Sequence, residues 1–340
     1  MARILRIPNG RGYALPVSFR GLFGLGEPAP PPLRLGRAVG SVRSEALASV
    51  LGPGTVAHPG FEQRAEAQGI DLSLLWTAHG EDGQLEAAAL LVPHPGRSAL
   101  LMATAPKDHG HAASVGRLVD FVLAEASSLP DVRLIQALSA PSEALRSRAW
   151  TAGGLRHLAS LDYMERPLRD AAPAQAPCPD GISLRPWHPS ERGVLEELLA
   201  RTYVETLDCP GLAEMRTTSD ILEGHLAAGE HDPDLWILAF RDGRTVGALL
   251  LAPSHATDSV EVVYLGLAPE ARGRGLGRAL MLHGLGLVQQ RPERVMALAV
   301  DQRNTPAVAL YARLGFRTVR RREAFVAQPS PYRAPAASVK

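Results

Sequence analysis

The sequence predicts an α/β (α+β) protein made of two tandem copies of one unit, each a mixed sheet flanked by helices. Three observations carry this. The first is an internal duplication: Leu75-Trp76 returns as Leu235-Trp236, Asp82-Gly83 as Asp242-Gly243 and Leu90 as Leu250, each 160 residues on. Pro106 and Pro269 close similar runs 163 apart, and Trp150 to Leu155 lies 161 residues before Tyr311 to Phe316. The second is the order of elements, which is the same in both copies. The third is a proline- and alanine-rich stretch, DAAPAQAPCPD at 170–180, at the centre of the 340-residue chain.

In the first copy, apolar strand candidates at 74–78, 86–93 and 98–104 precede a helix at 112–127, a strand at 132–138, a helix at 141–152 and a last strand at 155–165. The second copy repeats this with strands at 235–240, 246–252 and 260–268, a helix at 275–290, a strand at 294–300, a helix at 306–314 and a strand at 316–326. Asp82-Gly83 and Asp242-Gly243 are turn signals between strand-like runs. Consecutive strands followed by alternating helix and strand give a mixed sheet covered by helices. For the helix 306–314, Thr305 is expected as the N-cap, Pro306 as its first residue and Gly315 as a left-handed C-cap. The units are therefore 1–169 and 182–327, with a linker at 170–181, an extended polyproline-like run at 26–33 and a frayed tail at 328–340.

Composition narrows the function. The chain carries 36 Lys+Arg against 35 Asp+Glu, a formal net charge of +1, which argues against a dedicated nucleic-acid binder. Lys107 and Lys340 are its only lysines and neither follows a glycine, so a Gly-Lys-Ser/Thr phosphate loop is excluded. Cys178 and Cys209 cannot form a metal knuckle or a disulfide framework. His109 and His111 lack a third clustered ligand, so no metal is expected. No signal peptide or membrane span is read, and a cytoplasmic location is expected.

The chemistry concentrates in 260–316. A β-rich run, Val260 to Leu267, is stopped by Ala268-Pro269 and followed by Glu270-Ala-Arg272-Gly273-Arg274-Gly275-Leu276-Gly277-Arg278 and an apolar helical run. A strand, a glycine-rich turn and a helix start bring backbone N–H groups and a helix dipole to one point, an anion site suited to phosphate. The dinucleotide fingerprint needs a glycine where this chain has Arg278, so that spacing does not fit.

What does fit is Arg-x-x-Gly-x-Gly, Arg272 to Gly277, followed by Asn304, Tyr311, Leu314, Gly315 and Phe316 in the spacing Asn-x6-Tyr-x-x-Leu-Gly-Phe. In these residues the chain resembles the GCN5-related N-acetyltransferases over about 182–327. The resemblance implies a mostly antiparallel, twisted sheet and acetyl-CoA as donor, without a metal. Its pyrophosphate would lie on Arg272, Gly273, Arg274, Gly275, Leu276, Gly277 and Arg278, and its pantetheine arm along Leu265, Gly266 and Leu267 and against Asn304. A primary amine of a small molecule or peptide would attack the thioester. Tyr311 is then the acid for the leaving thiolate, or simply a packing residue of its helix.

Glu261 is either the base that accepts the amine proton or a solvent-facing edge charge. Strand alternation places it on the face of Leu265, with Tyr264 opposite. Glu205 and Asp208, between two helix-like stretches, would hold a cationic amine or simply line a solvated loop. The first copy has no Arg-x-x-Gly-x-Gly at 106–116 and has Trp150 where the second has Tyr311, so it reads as a degenerate copy. Tandem architecture with the second copy intact also resembles the mycothiol synthases, which acetylate an amino sugar conjugate. There the resemblance implies a substrate tyrosine five residues before Asn304, where this chain has Ala299. A non-catalytic acyl-CoA sensor is the remaining alternative, and a monomer or homodimer is expected.

Overall fold

The computed structural model describes residues 32–170 and 178–330, except 59, 68 and 256. The tail beyond 330, most of the proline run at 26–33 and the centre of the linker lie outside the described residues. Strand β1 (Arg34–Arg37) and helices α1 (Val42–Leu51), α2 (Pro53–Val56) and α3 (Phe61–Ala67) open the first copy. Then follow β2 (Leu75–His79), β3 (Leu85–His94), β4 (Ser98–Ala103), α4 (His109–Ala126), β5 (Leu134–Ser139), α5 (Ala144–Ala152) and β6 (Arg156–Pro167). The second copy begins with β7 (Ile182–Pro186), α6 (Arg192–Thr202) and α7 (Thr218–Leu226). It continues with β8 (Trp236–Arg241), β9 (Arg244–Ser254), β10 (Ser259–Leu267), α8 (Leu276–Val288), β11 (Val295–Asp301), α9 (Thr305–Arg313) and β12 (Arg317–Ala327). Every element read from the duplication is present, displaced by a few residues at most.

The strands form one twelve-stranded sheet in the order β1-β2-β3-β4-β5-β12-β6-β11-β10-β9-β8-β7. Only the β4/β5 and β10/β11 pairs are parallel; the rest are antiparallel. The last strand of each copy has crossed over. β12 pairs with β5 of the first copy, β6 pairs with β11 of the second, and the two exchanged strands pair with each other from Arg317↔Glu165 to Val326↔Arg156. The sheet is therefore continuous where the sequence is cut at 170–181. β12 covers the edge of β5 and β6 covers the edge of β11, so neither presents a row of unpaired backbone groups.

Helices cover both faces. On one, α4 and α5 bury Val115, Leu118, Val122 and Trp150 against the first copy's strands, while α8 and α9 bury Leu276, Leu280, Leu285 and Tyr311 against the second's. On the other, α1 packs over β2–β4 through Leu47, and α6 and α7 pack over β8–β10 through Leu195, Leu198 and Leu222. Among the described residues no helix is long and apolar enough to cross a membrane.

Candidate active site

β10 and β11 are paired only at Ser259↔Val295, Val260↔Met296 and Glu261↔Ala297. Beyond Glu261 they separate, and the β11 side of Val262–Leu267 is left without a strand partner. β9 continues to pair with β10, but Val263 is an extra residue: Val262 faces Leu251 and Tyr264 faces Leu250. This β-bulge changes an expectation. An inserted residue reverses the alternation beyond it, so Glu261 shares its face with Tyr264, on the side of α6 and α7. Leu265 lies on the opposite face, packed with the core beneath α8.

Tyr264 packs, as the sequence suggests. Its ring lies over Gly266, where a Cβ would come within 2.4 Å of it, and its hydroxyl hydrogen-bonds Thr202 Oγ1 at 2.7 Å. His225 stacks on it at 5.1 Å and is pushed down to about 4 by burial and by Arg216. His225 and Thr202 carry no sequence motif, and only tertiary packing assigns them here.

The glycine turn runs from the end of β10 into α8. Gly273 and Gly275 have φ of +71° and +82°, a left-handed backbone that favours glycine, and no atom lies within 4 Å of where either Cβ would stand. Gly275 is the N-cap of α8 and supplies no side-chain hydrogen bond, so the first N–H groups of the helix keep their donors free of a side-chain cap. The first copy closes the same point. There Asp108 caps α4 by accepting from His111 N at 2.8 Å, and the His111 ring bonds Lys107 N and the Glu86 carbonyl. A carboxylate thus already occupies the helix start in the first copy. Among the described residues no group of three or more His, Cys, Asp or Glu side chains could hold a metal.

Arg274 and Arg278 are exposed beside the turn. Arg272, expected to face a ligand, turns into the protein. Its guanidinium donates to the carbonyls of Leu267, Thr202, Val204 and Glu205 at 2.8–3.2 Å. Carbonyls at a helix C-terminus lack intrahelical partners and attract a cation, so Arg272 ties the end of α6 to the glycine turn. Asn304, rather than Thr305, is the N-cap of α9: its Oδ1 accepts from Ala307 N at 3.3 Å. A Schellman ending closes α9, with Gly315 N donating to Ala312 O and Phe316 N to Tyr311 O.

Tyr311 is buried on the α9 stripe, its ring 5.8 Å from that of Phe316. Burial, with the Asp208 carboxylate acting in the same direction, raises its hydroxyl far above the ordinary range. Glu261 is exposed on the open face yet crowded by surrounding protein, and this desolvation pushes its carboxyl up. Glu205 is exposed in a left-handed conformation (φ +52°), with its backbone held by Arg272. Asp208 is exposed, and its Oδ1 accepts from Asp301 N at 2.9 Å. Asp301, fully buried and missed in the sequence, accepts from Cys209 N and binds Arg303 at 2.6 Å. The loop 203–209 is thereby pinned across the end of β11. Cys209 is half-buried, and desolvation first, then Asp208 and Asp301, push its thiol up to about 12.

A separating pair of parallel strands, an uncapped glycine turn and a buried tyrosine beside them define a class, and comparison with known proteins agrees. The model of the acetyltransferase (GNAT) family matches residues 195–316. The mycothiol acetyltransferase of Pseudarthrobacter chlorophenolicus is 31% identical over 247 residues, covering 70% of this chain and 72% of that one. The chain belongs to the GNAT acetyltransferase family. The mycothiol acetyltransferase of Thermomonospora curvata is 32% identical over 178 residues, 52% of this chain, and the match spans just 57% of that protein's length. Among solved structures, a GCN5-related N-acetyltransferase from Sphaerobacter thermophilus has the same fold, with a TM-score of 0.59 at 20% identity. That match covers 91% of this chain and all of that one.

Proposed function

We propose that the protein is an N-acetyltransferase that moves the acetyl group of acetyl-CoA to a primary amine of a small molecule or peptide, in its second copy. The observation that carries this is the uncapped α8 N-terminus at Gly273–Gly277, opening beside a strand whose β11 side is unpaired. Bound there, acetyl-CoA supplies an activated thioester. The backbone N–H groups of the turn and the exposed Arg274 and Arg278 suit its pyrophosphate. The free edge of Leu265–Leu267 suits an amide-bearing arm, since an unpaired strand edge pairs with any extended backbone. The Asn304 side-chain N–H2, left free when its Oδ1 caps α9, would donate to the same arm.

In this reading the residues divide the remaining work. The Glu261 carboxyl, on the open face, takes the proton of the incoming amine, and its raised pKa brings it nearer the working pH of a base. The Tyr311 hydroxyl stays protonated and gives its proton to the departing sulfur. A backbone N–H near Leu267 stabilises charge on the carbonyl oxygen as the amine attacks. Glu205 and Asp208 belong to the loop that flanks the acceptor side, where the bond from Asp301 N supports the Asp208 carboxylate. The first copy, with Asp108 in place of a ligand, serves as scaffold.

A narrower acceptor, an amino sugar conjugate of the mycothiol kind, is favoured by the name of the relatives above. Incubation with acetyl-CoA and a panel of primary amines, read by mass as acetylated amine and free CoA, tests the function. Amine-dependent release of CoA is expected. Tight binding of acetyl-CoA with no release on any amine would instead make the protein a sensor.

A further inference from the structure

The face of the sheet that carries Glu261 has an uncovered centre. α6 and α7 lie over β8–β10, α1 lies over β2–β4, and the turn 210–215 covers Leu158, Ala159, Ala324 and Val326. Between them Ala299 is exposed although it sits on a central strand, paired on β6 with Tyr163. Residues directly opposite in an antiparallel pair share a face. Tyr163, Ala299 and Ala297 therefore line the same side as Glu261, which pairs with Ala297. On the far side of Tyr163 stands Arg320, its partner on β12, with Arg322 two residues further on the same face. Arg321 points the other way and is paired with Asp162 at 3.0 Å. Arg320 is exposed and, among the described residues, has no carboxylate within ion-pair distance.

The register puts Arg320, Arg322 and Glu261 on the face of Tyr163, and desolvation, with the charges of these three groups acting on it, raises its phenol. Glu261 and Tyr163 are two strands and two residues apart, roughly 12 Å at the backbone, and Arg320 is roughly 16 Å from Glu261. With both side chains reaching inward, about three residues of extended chain fit between the glutamate and the guanidinium.

Resting on the acetyltransferase reading, we propose that the acceptor cleft is shared between the two copies: Tyr163 of the first lines it opposite Glu261, and Arg320 fits it to an amine carrying an acidic group about one tripeptide length away. The strand exchange gives this arrangement its physical origin. β6 brings a first-copy tyrosine beside the second copy's β11, and β12 brings the arginines beside β6. In the cleft the amine lies at Glu261, the body of the acceptor runs over Ala299 against the phenol, and the acid meets Arg320 with Arg322 behind it.

The test uses the whole chain with triglycine and triglycinamide, which differ in the terminal carboxylate, alongside calorimetry with acetyl-CoA. The wild type is expected to bind acetyl-CoA and to acetylate triglycine with kcat/KM about tenfold or more above the amide. Arg320→Gln should abolish that preference through KM, with kcat and acetyl-CoA affinity unchanged. Tyr163→Phe should raise KM for both peptides several-fold, again without affecting acetyl-CoA. If acetyl-CoA binds but both peptides react equally, or neither reacts while another primary amine of the panel is acetylated, the shared acidic-acceptor cleft is overturned and the acetyltransferase reading stands; binding with no turnover of any amine overturns both. If acetyl-CoA does not bind at all, both fall together.

Discussion

Asp208 and Asp301 stand together although 93 residues separate them, the backbone N–H of Asp301 donating to the Asp208 carboxylate at 2.9 Å. The two carboxyls are driven in opposite directions. Desolvation and the Asp301 charge raise Asp208. Burial also pushes Asp301 up, but Arg303 and the N–H groups of Arg303 and Cys209 outweigh it and hold Asp301 below the usual range. Substitution should therefore have opposite signs at the two positions. Asp208→Asn keeps an acceptor and removes repulsion, so thermal melts at pH 7 should show a Tm equal to or above wild type. Asp301→Asn loses charged bonds, each about 1.5–3 kcal/mol. Because the Arg303 side chain is 59% exposed, the net loss should be nearer about 1–2 kcal/mol.

Linkage gives a second check on the same pair. A carboxyl whose folded pKa is lowered contributes stability above its unfolded pKa, and that stability is lost as pH falls through the folded value. The cost of Asp301→Asn should thus be full at neutral pH and vanish in acid, below the ordinary carboxylate range. A Tm difference that persists unchanged at pH 3 would show that the aspartate's charge is not what holds the loop.

Arg272 is expected to behave as a clamp. A lysine keeps the charge but cannot reproduce a fork that reaches four carbonyls. Arg272→Lys should destabilise by about 1–2 kcal/mol in denaturant melts. Arg274→Gln should leave stability within about 0.5 kcal/mol, as exposed surface changes usually do, and should weaken acetyl-CoA in a salt-dependent way.

Acetyl transfer should follow the ionisation of Glu261. Its folded pKa lies above the ordinary glutamate value, so kcat/KM should fall as pH drops through that raised value, while the Tyr311 hydroxyl remains protonated throughout. Glu261→Gln should lower kcat by about 10²–10⁴-fold and remove this acid limb. A variant that keeps the wild-type pH profile would show that another group takes the proton.

The legible parts of this molecule were those encoded locally. The glycine turn announces itself because left-handed backbone at Gly273 and Gly275 needs glycine, and the duplication announces the strands and helices from β2 to β6 and from β8 to β12. The exchange of β6 and β12 was not legible: both are long and alternating, and nothing in either strand says which copy's edge it will meet. The bulge at Val263 carries no glycine to mark it, so simple alternation puts Glu261 on the face of Leu265 instead of that of Tyr264. Arg272 looks like any of its neighbours in sequence, and its role depends on where α6 happens to end. Tyr163 lies outside the matched family segment, and only the register with Ala299 brings it to the cleft.

The central claim is that the second copy alone holds acetyl-CoA, at Gly273–Gly277. Calorimetric titration of the wild type, of Gly275→Trp and of Asp108→Ala tests it most directly. Losing the Asp108 cap should cost about 1 kcal/mol of stability without changing the titration. One equivalent bound by the wild type and by Asp108→Ala, and none by folded Gly275→Trp, is the predicted result. Two equivalents, or binding that survives Gly275→Trp, would contradict it.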